Sequence, residues 1–123
     1  MQVSGLEHVN IHTDDIEASV RFYAEVLGLS ARNAPMGIAP EKARWLCDAE
    51  GRAIIHLFAG KVTPGPTGPI DHVALRCAGK AELLAALAAR GSKVDVFEAS
   101  ATHTLVFTRD PHGVLLELNF HDE

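Results

Sequence analysis

The chain is written twice. Residues 70–76, IDHVALR, restate the acid-His-Val step of LEHVNIH at 6–12, and His72 stands 64 positions after His8. The turn Asp48-x-x-Gly51 returns as Asp110-x-x-Gly113. Between the copies lies KVTPGPTGP at 61–69, with three prolines and two glycines in nine residues, a composition that resists both helix and central strand. A repeat of about 55 residues is too small to bury a sheet face alone, so the halves are expected to work as a pair. The expected fold class is α+β: two tandem βαβββ modules forming a curved sheet around a cavity. Module one is placed at 1–60, the linker at 61–69 and module two at 70–123, within a single domain spanning 1–123.

Local signals fill in this frame. Val9 and Ile11 alternate with His8, Asn10 and His12, as a strand between two environments requires. Asp14 or Asp15 then caps a helix, with Glu17 in capping-box position to Asp14. Ile16, Val20, Tyr23 and Leu27 make its apolar stripe and Gly28 ends it. A short strand is expected at 29–32, and further strands at 42–47 and 53–58. Module two repeats the order, with a strand at 70–76, a helix at 80–90 ended by Gly91, and strands at 93–98, 103–108 and 114–120.

Composition narrows the function classes. With 47% hydrophobic and 22% charged residues the chain is an ordinary globular protein. Sixteen acids against eleven bases give a net charge of −5 with no Lys/Arg cluster, so nucleic acid is not an expected partner. No apolar run approaches the roughly 20 residues of a membrane span. The opening MQVSGLEHVN lacks the basic and apolar parts of a signal peptide, so a cytoplasmic location is expected. Cys47 and Cys77, without a CxxC pattern, read as small buried side chains. Seven histidines are the compositional oddity.

The runs LEHVNIHTDDIEASVRFYAEVLGL, IDHVAL and FTRDPHGVLLELNF resemble the vicinal oxygen chelate superfamily, which includes glyoxalase I, epimerases, extradiol dioxygenases, fosfomycin-resistance enzymes and bleomycin-binding proteins. The resemblance covers nearly the whole chain. It implies one divalent metal ion (Zn, Ni, Co, Mn or Fe) bound by residues of the first and last strands of each module, and a homodimer. His8, His72 and Glu117 match the ligand positions, and Glu117, set in the apolar run VLLEL, would find in the metal the partner that a buried carboxylate needs. The fourth position is occupied by His56 in place of the usual Glu or Gln. Superposing the two DxxG turns without a gap puts Glu117 opposite Ile55, so His56 reaches that position only if the first hairpin carries one extra residue. Alternation favours this, since Ile55 and Leu57 would then share the other face. His56 is read as metal ligand or metal-proximal base, against a hydrogen-bonded histidine on the other face of the sheet.

His103 is a candidate acid/base behind the site. Arg44, Arg76 and Arg109 are candidates to hold a substrate carboxylate or phosphate, and Trp45 and Phe58 are apolar walls or ordinary core. The expected function is a metal-dependent, glyoxalase-like lyase or isomerase acting on adjacent oxygens of a small substrate, with His56, Glu117 and His103 as catalytic residues. The alternatives are an extradiol-type Fe(II) dioxygenase and a non-catalytic small-molecule binding protein of the drug-resistance type.

Overall fold

In each half of the chain the strand before the helix pairs in parallel with the last strand, whereas the two strands joined by a tight Asp-Gly turn pair antiparallel. The computed structural model describes residues 1–63 and 65–121, and the chain divides into the units Met1–Val62 and Thr63–Glu123. In the first, β1 (Val9–Thr13), α1 (Ile16–Leu27), β2 (Ser30–Asn33), β3 (Ala43–Cys47) and β4 (Ala53–Ala59) form a mixed sheet of order β1-β4-β3-β2. In the second, β5 (Val73–Cys77), α2 (Lys80–Ala89), β6 (Asp95–Ser100), β7 (His103–Arg109) and β8 (Leu115–His121) give the order β5-β8-β7-β6. The βαβββ module is thus present twice. Each sheet is open, with two free edges, and neither closes around a cavity as the expectation of an enclosing curved sheet required.

In the first unit Asp15, not Asp14, caps α1 by accepting from the Ala18 amide at 3.0 Å. Glu17 is no capping-box partner: its carboxylate pairs with Arg44. Gly28 ends the helix at φ 67°, a conformation that glycine adopts without steric cost. The buried face is Ile16, Ser19, Phe22, Tyr23 and Val26, rotated from the expected stripe because Val20 and Leu27 are only half-buried. It packs on β3, over the buried sheet residues Ile11, Leu46, Ile55 and Leu57. Beneath it the Ser19 hydroxyl donates to the Thr13 hydroxyl at 2.8 Å, so this buried polar pair is satisfied.

In the second unit Val106, Leu116, Leu118 and Phe120 form the buried sheet face, and α2 buries Leu83 and Leu87. Alanines make up much of the remainder of α2. Its end is a Schellman closure, with Ser92 N–H to the Leu87 carbonyl at 3.0 Å. No helix among the described residues is long and apolar enough to cross a membrane.

Two details set the positions of the candidate residues. First, β1 and β5 begin at Val9 and Val73, so His8 and His72 stand one residue before the strands and not within them. Second, the hairpins differ by one residue. In both, the Asp side chain closes the turn: Asp48 Oδ1 accepts from the Glu50 and Arg52 amides, and Asp110 Oδ1 from those of His112 and Val114. Past the turn β7 and β8 pair without interruption, Arg109 with Leu115 and Thr108 with Leu116. In the first unit Cys47 pairs with Ala53 but Leu46 with Ile55, leaving Ile54 as a bulge. The bulge supplies the extra residue that the repeat demanded. Trp45 therefore faces His56 as Phe107 faces Glu117, and His56 occupies in β4 the place of Glu117 in β8.

Candidate functional site

β8 is the central element of the second unit's polar face, because alternation sends Leu116, Leu118 and Phe120 into the core and leaves Glu117 and Asn119 on the opposite side. The His72 ring lies beside Glu117, with Nε2 at 3.8 Å from Oε1. The other ring nitrogen, Nδ1, donates to Asp71 Oδ2 at 2.8 Å. That bond fixes the tautomer and leaves Nε2 facing the Glu117 carboxylate. The hydrogen bond to Asp71 also raises the His72 pKa above the usual imidazole value, aided by the Glu117 charge and opposed by partial burial. Asn119 Nδ2 donates to Glu117 Oε2 at 2.9 Å, and Asn119 Oδ1 accepts from His103 Nε2 at 2.9 Å. His103 stacks on His121, ring centroids 4.1 Å apart. One polar line thus runs from Asp71 and His72, just before β5, through Glu117 and Asn119 of β8 to His103 of β7.

The first unit repeats the opening move and then departs from it. His8 Nδ1 bonds Glu7 Oε1 at 3.0 Å, as His72 bonds Asp71. The acid of the repeated acid-His step is therefore a tautomer-setting partner in both units, a role visible in the repeat itself but not assigned from sequence. Beyond it, the His56 ring is sandwiched. His8 stacks on one side at 3.7 Å and 15°, Trp45 on the other at 3.7 Å and 8°, and Phe58 adjoins Trp45 at 5.6 Å. Burial, and after it the charge of His8, lowers the His56 pKa. Asn10 and His12 are exposed beside this group. Arg44 pairs with Glu17 through Nη2 and donates from Nε to the Pro40 carbonyl at 2.9 Å.

The sandwich predicts an optical titration. The folded His56 value lies below the unfolded one, so its neutral stack contributes stability above the ordinary imidazole range and loses it as pH falls through the folded value. Trp45 is the only tryptophan, and an imidazolium formed against its ring alters its emission. Emission followed from about pH 8 to about pH 4 should change with a midpoint below the ordinary imidazole value, and His56→Gln should abolish the transition. A transition unchanged in that variant would assign it to another histidine.

These geometries correct the expected metal centre. Among the described residues no group of three or more His, Cys, Asp or Glu side chains is placed to hold a metal ion. His8 and His56 form one pair and His72 and Glu117 another. A metal–imidazole bond of about 2 Å lies in the ring plane, and the nearly parallel planes of His8 and His56 cannot both contain one ion. The divalent Zn, Ni, Co, Mn or Fe expected on His8, His56, His72 and Glu117 does not fit this arrangement, and the facial triad of the dioxygenase alternative goes with it.

Comparison with known proteins sets the architecture in a family. Residues 5–118 match the model of the Glyoxalase/Bleomycin resistance protein/Dioxygenase superfamily. The chain belongs to this superfamily. No curated protein matches it in sequence, whereas solved structures match over nearly its full length. A glyoxalase/dioxygenase from Nostoc punctiforme is 20% identical with a TM-score of 0.78, over 98% of this chain and 92% of that one. A fosfomycin resistance protein from Listeria monocytogenes, complexed with Mn(II) and a dihydroxypropylphosphonic acid, is 17% identical with a TM-score of 0.74, over 98% and 91%. Lactoylglutathione lyase from Agrobacterium tumefaciens is 21% identical with a TM-score of 0.67, over 97% and 95%. At these identities the likeness establishes the fold of this superfamily member, and its chemistry has to be argued from its own side chains.

Proposed function

We propose that this superfamily member is an enzyme of the lyase or isomerase type that moves a proton between neighbouring oxygen-bearing carbons of a small molecule, with His72 and Glu117 as its acid–base pair. One observation carries the reading: the His72 ring is held through Nδ1 by Asp71 while Nε2 faces Glu117 across 3.8 Å. This separation exceeds a hydrogen bond, so the two groups remain available to a substrate set between or beside them. In a 2-hydroxycarbonyl compound Glu117 takes the proton of the carbinol carbon, and protonated His72 gives its Nε2 proton to the carbonyl oxygen, forming an enediol. Glu117 returns its proton to the former carbonyl carbon while the other hydroxyl restores the proton to His72. Atoms and charge balance without a further reactant. Asn119 orients Glu117, and His103 anchors Asn119.

The two units are read as one functional domain, and the family resemblance supports a homodimer acting on a small-molecule substrate. Relatives named as a lactoylglutathione lyase and a fosfomycin resistance protein support small oxygen-rich substrates. The test is proton NMR in heavy water on a panel of 2-hydroxycarbonyl compounds, together with the adduct of glutathione and a 2-oxoaldehyde, which would yield a lactoylglutathione-type product. Protein-dependent loss of the α-proton signal, or product formation, is expected. Absence of both across the panel would reject the enzymatic reading, and saturable binding without exchange would replace it with the binding-protein alternative.

A further inference from the structure

The second unit holds a cavity of about 250 Å³ that the acid–base pair does not use. It lies at the C-terminal end of β7, beside the Asp110–Gly113 turn, and Lys93, Asp95, Phe107, Arg109 and Leu115 are among its walls. Its two cations carry no opposing ion pair among the described residues. Arg109 spends one nitrogen, Nη1, on the Gly113 carbonyl at 2.8 Å, which steadies the guanidinium and leaves its other donors uncommitted. Lys93 is engaged through its backbone carbonyl, which accepts from Thr108 Oγ1 at 3.0 Å, and its ammonium is an exposed donor. Between the cations and the acid–base pair stands an apolar wall. Phe107 and Leu115 line the cavity, and the Phe107 ring meets the His72 ring edge-on at a centroid distance of 6.5 Å. Phe107 is also the direct cross-strand partner of Glu117. Asp95, the cross-strand partner of Phe107 on β6, also lines the cavity, so a carboxylate shares it with the cations.

We infer that this cavity is an anion subsite that takes the carboxylate of a small monoanionic ligand with an apolar body. The carboxylate bonds Arg109 and Lys93, the body lies on Phe107 and Leu115, and the wall that it covers is the one shared with His72. Asp95 sets the limit at one negative charge, because a second anionic group on the ligand would face its carboxylate. The volume falls below the range of drug-sized pockets, which restricts the ligand to a small acid. As a statement of substrate class this rests on the His72–Glu117 reading. As a statement of binding it does not.

The test is an NMR titration of the isotope-labelled full chain with three probes at millimolar concentration: phenylacetate, its neutral isostere phenylacetamide, and the dianion phenylmalonate. Phenylacetate is expected to shift the amides of residues 92–95 and 107–109 saturably, and to bind at least about tenfold more tightly than either of the others, since charge-assisted bonds to Arg and Lys are the strong ones. Arg109→Gln and Lys93→Gln, both at exposed positions, should each weaken it by about tenfold with an unchanged thermal transition. Asp95→Asn should raise phenylmalonate affinity towards that of phenylacetate. The inference is overturned if phenylacetate does not bind, if the shifts lie elsewhere, if the amide binds equally well, or if the Arg109 variant binds as the parent does. Glu117→Gln separates the two readings. It should lose proton exchange and keep phenylacetate binding, whereas exchange retained in a protein without that binding removes the subsite and leaves the acid–base pair standing.

Discussion

Glu117→Gln is expected to lower the rate of α-proton exchange by about 10²–10⁴-fold, the usual contribution of a positioned general base, with little loss of stability. The substitution keeps the side chain's volume and its Oε acceptor for Asn119, and the carboxylate that it removes is only partly enclosed, at 19% side-chain exposure. The companion result is a pH profile. His72 acts in its protonated form, and the hydrogen bond from Nδ1 to Asp71 raises its pKa, so the rate should hold through the ordinary imidazole range and fall as pH rises through the raised value. Asp71→Asn removes that cause and should move the falling limb to lower pH, an effect that a merely structural Asp71 would not produce. Linkage has the same sign: the stability that the pair contributes is present below the unfolded value and lost as pH rises through the folded one. A rate in Glu117→Gln within a few-fold of the parent would end the acid–base assignment.

Leu118→Ala should destabilise the second unit by about 2–5 kcal/mol, the range for a buried leucine whose cavity does not fully collapse. Leu118 is fully buried on β8, the strand held on both sides, between Leu75 of β5 and Val106 of β7. It also sits between Glu117 and Asn119, so loosening it disturbs the backbone that presents both. Denaturant unfolding measures the loss, with Val96→Ala on the exposed edge strand β6 as a control expected to stay within about 0.5 kcal/mol. A Leu118→Ala loss below about 1 kcal/mol would mean that β8 is not the packed centre of its sheet.

Much of this was legible before any coordinates. The repeated acid-His-Val step and DxxG turn define two equal modules because a duplicated chain keeps its turn chemistry. Gly28 and Gly91 mark the helix ends because each takes a positive φ of 67°. Alternation sets His56 on the face opposite Ile55 and Leu57, and counting from the DxxG turns calls for the extra residue that the Ile54 bulge supplies. Less visible was everything that depends on where a ring turns. Spacing brings His8, Trp45 and His56 to one face, but only side-chain packing decides that they stack plane on plane, and stacking removes the geometry that a shared ion needs. The Glu17 signal was similarly ambiguous: a carboxylate three residues into a helix suits a capping box, and Arg44, 27 positions on, competed for it and won. The strands begin later than alternation implies for a related reason, since His8 and His72 continue the alternation without joining the ladder.

The bulged Ile54 has a consequence for how such a chain can change over time. Asp48 and His56 are eight positions apart and Asp110 and Glu117 seven, yet both side chains stand on the same face of their strands. The bulge takes up the difference, because a residue left out of the ladder changes the count along the strand without changing the alternation beyond it. This hairpin can therefore gain or lose one residue at the bulge and still present the same position, whereas a one-residue change within the paired run beyond it would exchange inside for outside. An imidazole in one unit and a carboxylate in the other hold one place in the sheet, reached by different counts.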